Sequence, residues 1–422
     1  MTERLLQYIW QYQHYNHSEL TTSDDEPLQI IQPGILNTNQ GPDFLNARIM
    51  IGSTMWVGSI ELHINSSDWK SHKHDQDKNY QNVVLHVVWH HDAEIELSFP
   101  TLQLQGRVSG LLLTRYDQLM RTPGFIPCQN SIHHADALTW ASWKDRLLAE
   151  RLIAKTREIF VFLKKNKNHW EETLWWMIAR NFGLKVNSET FLEIACSIPL
   201  RVLANEKKQI HRIESILFGQ AGLLDGDFIE DYPKMLQKEY LFIKRKYGLK
   251  PVSQKLVFLR MRPSNFPTLR LAQLAMLVHE TQHLFSRIRT ARSLDELKRC
   301  LQITANDYWH YHYRFDEPAA FKEKKLGEQM IHNILTNTVI PIVFAYGDQL
   351  SEYTYKNKAL EWLNDIPAEK NTITTGFETL GIANKNTFDS QALLQLKKQY
   401  CDPKRCLDCM IWNKLFSTSS GA

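Results

Sequence analysis

The sequence predicts an α+β fold. An N-terminal mixed β-sheet with flanking helices is expected over residues 1–130, followed by an all-α domain over residues 131–395. A cysteine-containing C-terminal segment, residues 396–422, is expected to pack back on the front. Three observations predict this. Runs of β-branched or alternating residues stop near residue 130; beyond it, apolar residues recur every three or four positions. Finally, Gly52 and Ser53 join two strand-like runs with hairpin chemistry. At 422 residues the chain is too long for one ordinary core, so two or three domains are expected.

The elements follow in order. A first helix is expected at about 3–16; it lacks the basic stretch and apolar core of a secretory leader, which predicts a cytoplasmic protein. The acidic loop TTSDDEP leads into the strand LQIIQPG, and FLNARIMIG and MWVGSIELHI form the hairpin. A polar stretch, NSSDWKSHKHDQDKNY, reads as helix or loop. The runs NVVLHVVWHH and EIELSFPTLQL then read as strands. Behind them, five long stretches between residues 136 and 347 carry helical spacing, with Trp140, Trp143, Trp175 and Trp176 as core positions. The most apolar run, residues 334–346, is broken by Asn337, Thr338 and Pro341 and is shorter than the ~20 residues a bilayer requires. It reads as a buried helix, and no membrane partner is expected.

Charge is divided unevenly. Residues 1–130 hold 8 Lys+Arg against 14 Asp+Glu, a balance of −6; the remaining residues hold 42 against 32, a balance of +10. Ten of the 17 histidines precede residue 141. An acidic front that gathers cations beside a basic rear that holds polyanions suits an enzyme acting on nucleic acid, and ordinary solvated faces give the same balance.

The hairpin carries the chemistry. Side chains alternate along a strand, so Glu61 and His63 share one face while Ile60, Leu62 and Ile64 take the other. The apolar set is expected on the core and the polar pair opposite it, with Asp43 delivered after Pro42 at the start of the neighbouring strand. Two carboxylates make an oxygen-rich site of the kind Mg²⁺ or Mn²⁺ accepts. Such an ion polarises a phosphoryl oxygen and acidifies a bound water.

Asp43 after Pro42, followed eighteen residues on by Glu61-Leu62-His63, resembles the core of the PD-(D/E)xK nuclease superfamily, which implies a restriction-endonuclease-like sheet. The resemblance implies that Asp43 and Glu61 bind the divalent ion and that His63 occupies the place of the lysine that orients water. Histidine accepts or donates a proton near neutral pH, so the replacement is chemically workable. A degenerate core that binds nucleic acid or scaffolds without catalysis is the alternative. The chain as a whole also resembles a family of uncharacterised bacterial proteins, through GPDFLNARI, GSIELHINSSDWKSHKHDQDKNYQNVVLHVVW, RMRPSNFPTLRLAQLA and CDPKRCLDCMI.

After the hairpin, Asp68, His72, His74, Asp75 and Asp77 crowd together. His72 or His74 is a candidate acid or base, or a ligand to a second metal. His86, on the next strand, reads as a hydrogen-bonded core residue. Cys401, Cys406 and Cys409 are spaced C-x4-C-x2-C around Pro403, and Cys128 is the candidate fourth thiolate; zinc and a [4Fe-4S] cluster are equally compatible. Cys196 and Cys300 read as packed thiols.

Two further patterns compete. VHETQH matches H-E-x-x-H, which on a helix would place His279 and His283 on one face with Glu280 as the base of a zinc protease. No clear third ligand follows, Glu296 being only a candidate. Upstream, Arg260, Arg262 and Arg270 surround Asn265 and Phe266, which suits contacts to nucleic acid or, equally, pairing at a domain seam.

Overall fold

The structure of the chain, a computed structural model, describes residues 1–72 and 74–417, without the side chains of Asp75 and Ser417. It divides into two compact units, Met1–Thr139 with Lys397–Ala422, and Trp140–Leu396.

The first unit is built on a six-stranded sheet in the order β1-β3-β4-β5-β6, with β2 paired to β3. Its strands are β1 (Leu28–Gln32), β2 (Ile35–Leu36), β3 (Phe44–Ile51), β4 (Thr54–Asn65), β5 (Val83–His90) and β6 (Thr101–Gln103). Strands β3 and β4 form the antiparallel hairpin, with Ile51 opposite Thr54 across the Gly52-Ser53 turn, where Gly52 takes φ 56°. Strand β5 then returns parallel to β4 and pairs Glu61 with His86; β6 runs parallel to β5. The mixed sheet follows directly: a two-residue turn reverses the chain, whereas a parallel return needs the crossover that residues 66–82 supply. At Gly58 a Cβ would lie 2.5 Å from Asn82 O and Val84 Cγ1, so a glycine there lets β4 and the start of β5 approach closely.

Helix α1 (Glu3–Gln11) starts at Thr2, whose hydroxyl caps Leu5 N–H, and buries Leu5, Leu6, Ile9 and Trp10. It is shorter than the expected span because Gln13 turns into the left-handed region at φ 54°. Helices α2 (Asp68–Ser71) and α3 (Gly110–Arg121) belong to the same unit. Of the predicted strand at residues 94–104, only β6 pairs, since Pro100 lacks the N–H a ladder needs. The larger correction concerns β4. Gly58 through His63 are all buried, so both faces of this central strand are covered and Glu61 and His63 do not lie on an open polar face.

The second unit is almost wholly helical, with one small hairpin, His312–Arg314 with Glu317–Pro318, that helical periodicity does not reveal. Trp175 and Trp176 join its large apolar core. Among the described residues one helix, Glu328–Leu350, is long and apolar enough to cross a membrane by length and composition, and 78% of its most apolar window is buried. Met330, Ile331, Ile334, Ile340 and Val343 place it in that core. A π-helical turn at Leu335–Val339 accommodates Pro341, whose ring cannot continue an undisturbed α-helical ladder. Cys196, expected to be packed, is exposed at the last position of its helix.

Candidate metal centre

Asp43 and Glu61 are tied together through the backbone. The Asp43 N–H donates to Glu61 Oε2 at 2.9 Å, and the N–H of Leu62 donates to Asp43 Oδ2 at 3.1 Å. Gln7, reaching in from α1, donates to Asp43 Oδ1 at 2.8 Å. Both Asp43 oxygens therefore accept hydrogen bonds, while Glu61 Oε1 turns toward a group of imidazoles. It lies 3.7 Å from His63 Nε2 and 3.5 Å from His74 Nε2.

Four histidines gather there. His63 Nδ1 is 2.8 Å from His86 Nε2, and His63 Nε2 is 3.1 Å from His72 Nδ1. One ligand nitrogen each from His63, His72 and His74 lies within 4.8 Å of the others. Trp69, on α2, sets its ring edge-on to His63, His74 and His86 at 5.2–6.2 Å, and Tyr80 stacks on His74 at 3.9 Å. A rigid aromatic floor thus holds imidazoles that strands and turns bring from three stretches of sequence. His63 and His86 are fully enclosed, whereas His72 is exposed, so the group opens to solvent on that side.

Burial dominates the electrostatics of the group. Burial, then the Asp43 carboxylate, pushes Glu61 up to about 8, and burial pushes Asp43 up to about 6. Burial and then the neighbouring imidazoles push His63 down to about 3; burial does the same to His86. Tyr80 is raised to about 12, by burial and then by Glu61 and Asp43. Two acids that resist ionising beside imidazoles that resist protonation become mutually compatible when a positive ion sits among them.

The donor set fits such an ion. Two imidazole nitrogens bound at about 2.1 Å stand roughly 3.0–3.4 Å apart, the range in which His63 Nε2 and His72 Nδ1 already lie. His86 has the place of an orienting partner. With the proton of His63 on Nδ1 and donated to His86 Nε2, the Nε2 lone pair faces the group; His86 Nδ1 is then the buried N–H with no hydrogen-bond partner among the described residues. Nitrogen-rich ligation suits Zn²⁺ or Mn²⁺ better than the Mg²⁺ of a two-carboxylate site.

The expected site residues are thus placed as follows. Asp43, Glu61, His63, His72 and His74 come together, but His63 is buried among the other imidazoles and does not face solvent as a substitute for the lysine would. His86, Trp69, Tyr80 and Gln7 join them. Of these only His86 stands out in the sequence, where it reads as a hydrogen-bonded core residue; its parallel pairing with Glu61 emerges from the structure. The side chain of Asp75, included in the expected cluster, lies outside the described residues. Cys128, Cys401, Cys406 and Cys409 lie in two stretches of this same unit.

The competing patterns take other forms. The helix Pro267–Glu280 ends before the second histidine of H-E-x-x-H: Thr281 is extended and His283 is left-handed at φ 49°. His279 Nδ1 instead bonds Lys207 O at 2.6 Å, so the two histidines do not share a helical face with Glu280. Arg270 is buried, donating to Gln273 Oε1 at 2.9 Å and Asn265 Oδ1 at 2.7 Å, and is not available to a polyanion; Arg260 and Arg262 are exposed.

No curated protein and no solved structure matches this chain. A family profile described as "Protein of unknown function (DUF2851)" matches residues 3–372. By that match over most of its length, the chain belongs to the DUF2851 family.

Proposed function

We propose that this protein is a divalent-metal-dependent nuclease that hydrolyses phosphodiester bonds, with Glu61, His63, His72 and His74 holding the ion. The observation that carries the reading is the convergence of Glu61 Oε1 with three imidazole nitrogens beside Asp43. The resemblance of Pro42-Asp43 and Glu61-Leu62-His63 to the PD-(D/E)xK core supports a nucleic-acid substrate. So does the topology, an antiparallel pair followed by a helical crossover and a parallel strand.

A bound Zn²⁺ or Mn²⁺ supplies Lewis acidity toward a phosphoryl oxygen and lowers the pKa of a coordinated water. The chain's own residues do the rest. Asp43, fixed by Gln7 and Leu62 N–H, holds Glu61 in place through its backbone amide. His86 fixes the tautomer of His63. His72, on the solvent side, would complete the ligand set where the group opens to a substrate.

The engagement of both Asp43 oxygens in hydrogen bonds within the protein favours a second reading, a metal-stabilised protein that binds or scaffolds nucleic acid without cleaving it. Incubation of the full chain with labelled single- and double-stranded DNA and RNA, in Mn²⁺ or Zn²⁺, separates the two. Cleavage that disappears in Glu61→Gln and His74→Ala is expected. Metal-dependent retention without cleavage supports the second reading, and cleavage indifferent to both substitutions rules out the first.

A further inference from the structure

Four free cysteines of the first unit, Cys128, Cys401, Cys406 and Cys409, lie away from the imidazoles in sequence. Cys401 closes a π-helical turn, Lys397–Cys401, and Cys406 opens a 3-10 turn, Cys406–Asp408. Cys409 directly precedes the helix Met410–Ser417. The chain doubles back between them. Lys404 takes φ 54° and donates its N–H to Cys401 O at 3.1 Å, and Cys409 N–H donates to Cys406 O at 3.0 Å.

Contacts on either side of Cys128 bring it to this turn. Lys397 Nζ lies 5.1 Å over the ring of Phe125, and Lys404 Nζ donates to Met120 O. Beyond Cys128, Lys414 pairs with Asp136 at 3.1 Å. Cys128 also lines, with Trp412, Leu415 and Phe416, a cavity of about 360 Å³. Cys406 and Cys409 are buried, and the six cysteines form no disulfide.

Thiols packed only as small apolar groups have no reason to converge from residue 128 and from residues 401–409. We propose that Cys128, Cys401, Cys406 and Cys409 together ligate a thiophilic metal centre, either a single zinc ion or an iron–sulfur cluster. It fastens the C-terminal stretch to the loop after α3. Four thiolates select soft or borderline metals over Mg²⁺ or Mn²⁺, so this centre and the imidazole site do not compete for one ion. The role is structural: all four protein positions are filled, and none is left for substrate.

The test does not depend on nuclease activity. In the His72→Ala/His74→Ala full-length chain, purified without oxygen, elemental analysis is expected to find either one zinc per chain or iron with acid-labile sulfide. A mercurial that caps thiols is expected to release it from the folded protein. Adding Cys406→Ser and Cys409→Ser should reduce the metal to background, whereas Cys196→Ser, at an exposed thiol, should leave it unchanged. Because the cysteine variants can fail by unfolding, metal-depleted protein is also titrated with Co²⁺, for which a thiolate-to-cobalt charge-transfer band is expected. Absence of zinc and iron from the histidine variant, together with absence of that band, overturns the proposal whatever the imidazole site does.

Discussion

His63 and His86 sit on adjacent parallel strands, with His63 Nδ1 2.8 Å from His86 Nε2 and both rings buried. Neither ring is placed to carry a charge, because burial and the surrounding imidazoles hold both well below the usual histidine range. A neutral pair that fixes one tautomer is the arrangement of an orienting partner behind a metal ligand.

His86→Asn tests that relationship. Removing the orienting ring should weaken Zn²⁺ or Mn²⁺ binding by roughly 10–100-fold, the effect typical of such partners. Titration calorimetry on wild type and variant gives the ratio, and near-ultraviolet circular dichroism checks that the aromatic floor under Trp69 is retained. An unchanged affinity in a folded variant would mean that His86 only fills the core.

Glu61→Gln should separate stability from function. In the metal-free protein the substitution removes one of two coupled buried carboxyls while an amide oxygen can still accept the Asp43 N–H. Urea unfolding at pH 8 is expected to show a gain of about 0.5–2 kcal/mol, as at other sites where function is bought with stability. Metal affinity should fall about tenfold or more, equivalent to roughly 1.4 kcal/mol.

The pH dependence of the metal-free protein follows from the same groups. A carboxyl whose folded pKa is raised binds more protons folded than unfolded, so its contribution is full below the unfolded value and is lost as pH rises through the folded one. For Glu61 that loss extends to about pH 8, and for Asp43 to about pH 6. His63 and His86, depressed to about 3, act in the opposite sense, and their contribution is lost as pH falls below the ordinary histidine value. Between about pH 6.5 and 8, then, Glu61 dominates this group. The Tm of apo protein should decline across that window, and added Zn²⁺ or Mn²⁺ should flatten the decline; a flat apo profile with a normal Glu61 titration would contradict it.

Arg270 should behave as a structural residue. Arg270→Met leaves Gln273 Oε1 and Asn265 Oδ1 without their donor and is expected to cost roughly 2–3 kcal/mol in chemical denaturation. Arg260→Gln and Arg262→Gln, both exposed, should change stability by less than about 0.5 kcal/mol. If either surface arginine contacts nucleic acid, its loss lowers affinity and flattens the salt dependence.

The parts of the fold legible in the sequence are those with strong periodicity. The hairpin was carried by alternation in residues 44–64 and by Gly52-Ser53, and the helical second unit by apolar spacing. Local pattern does not reveal what neighbouring elements do. It could not show that β4 is covered on both faces, nor that the helix Pro267–Glu280 stops one turn too soon for H-E-x-x-H. Nor could it show that Arg270 turns inward to two amides. Asp43 and Glu61 were visible because carboxylates at strand positions are costly and stand out. His86 was not, because an apolar strand containing one histidine looks the same whether the ring fills space or orients another. Trp69 and Tyr80 carry no sequence signal of their place; the turns after β4 bring them against the imidazoles.

Anomalous diffraction from a crystal soaked in Mn²⁺ or Zn²⁺ addresses the imidazole site most directly. A single strong peak within about 2.0–2.3 Å of Glu61 Oε1 and of at least two nitrogens from His63, His72 and His74 is the expected result. A fully soaked crystal with no peak there, and the His63–His72 contact unaltered, would contradict the metal centre and with it the hydrolytic reading.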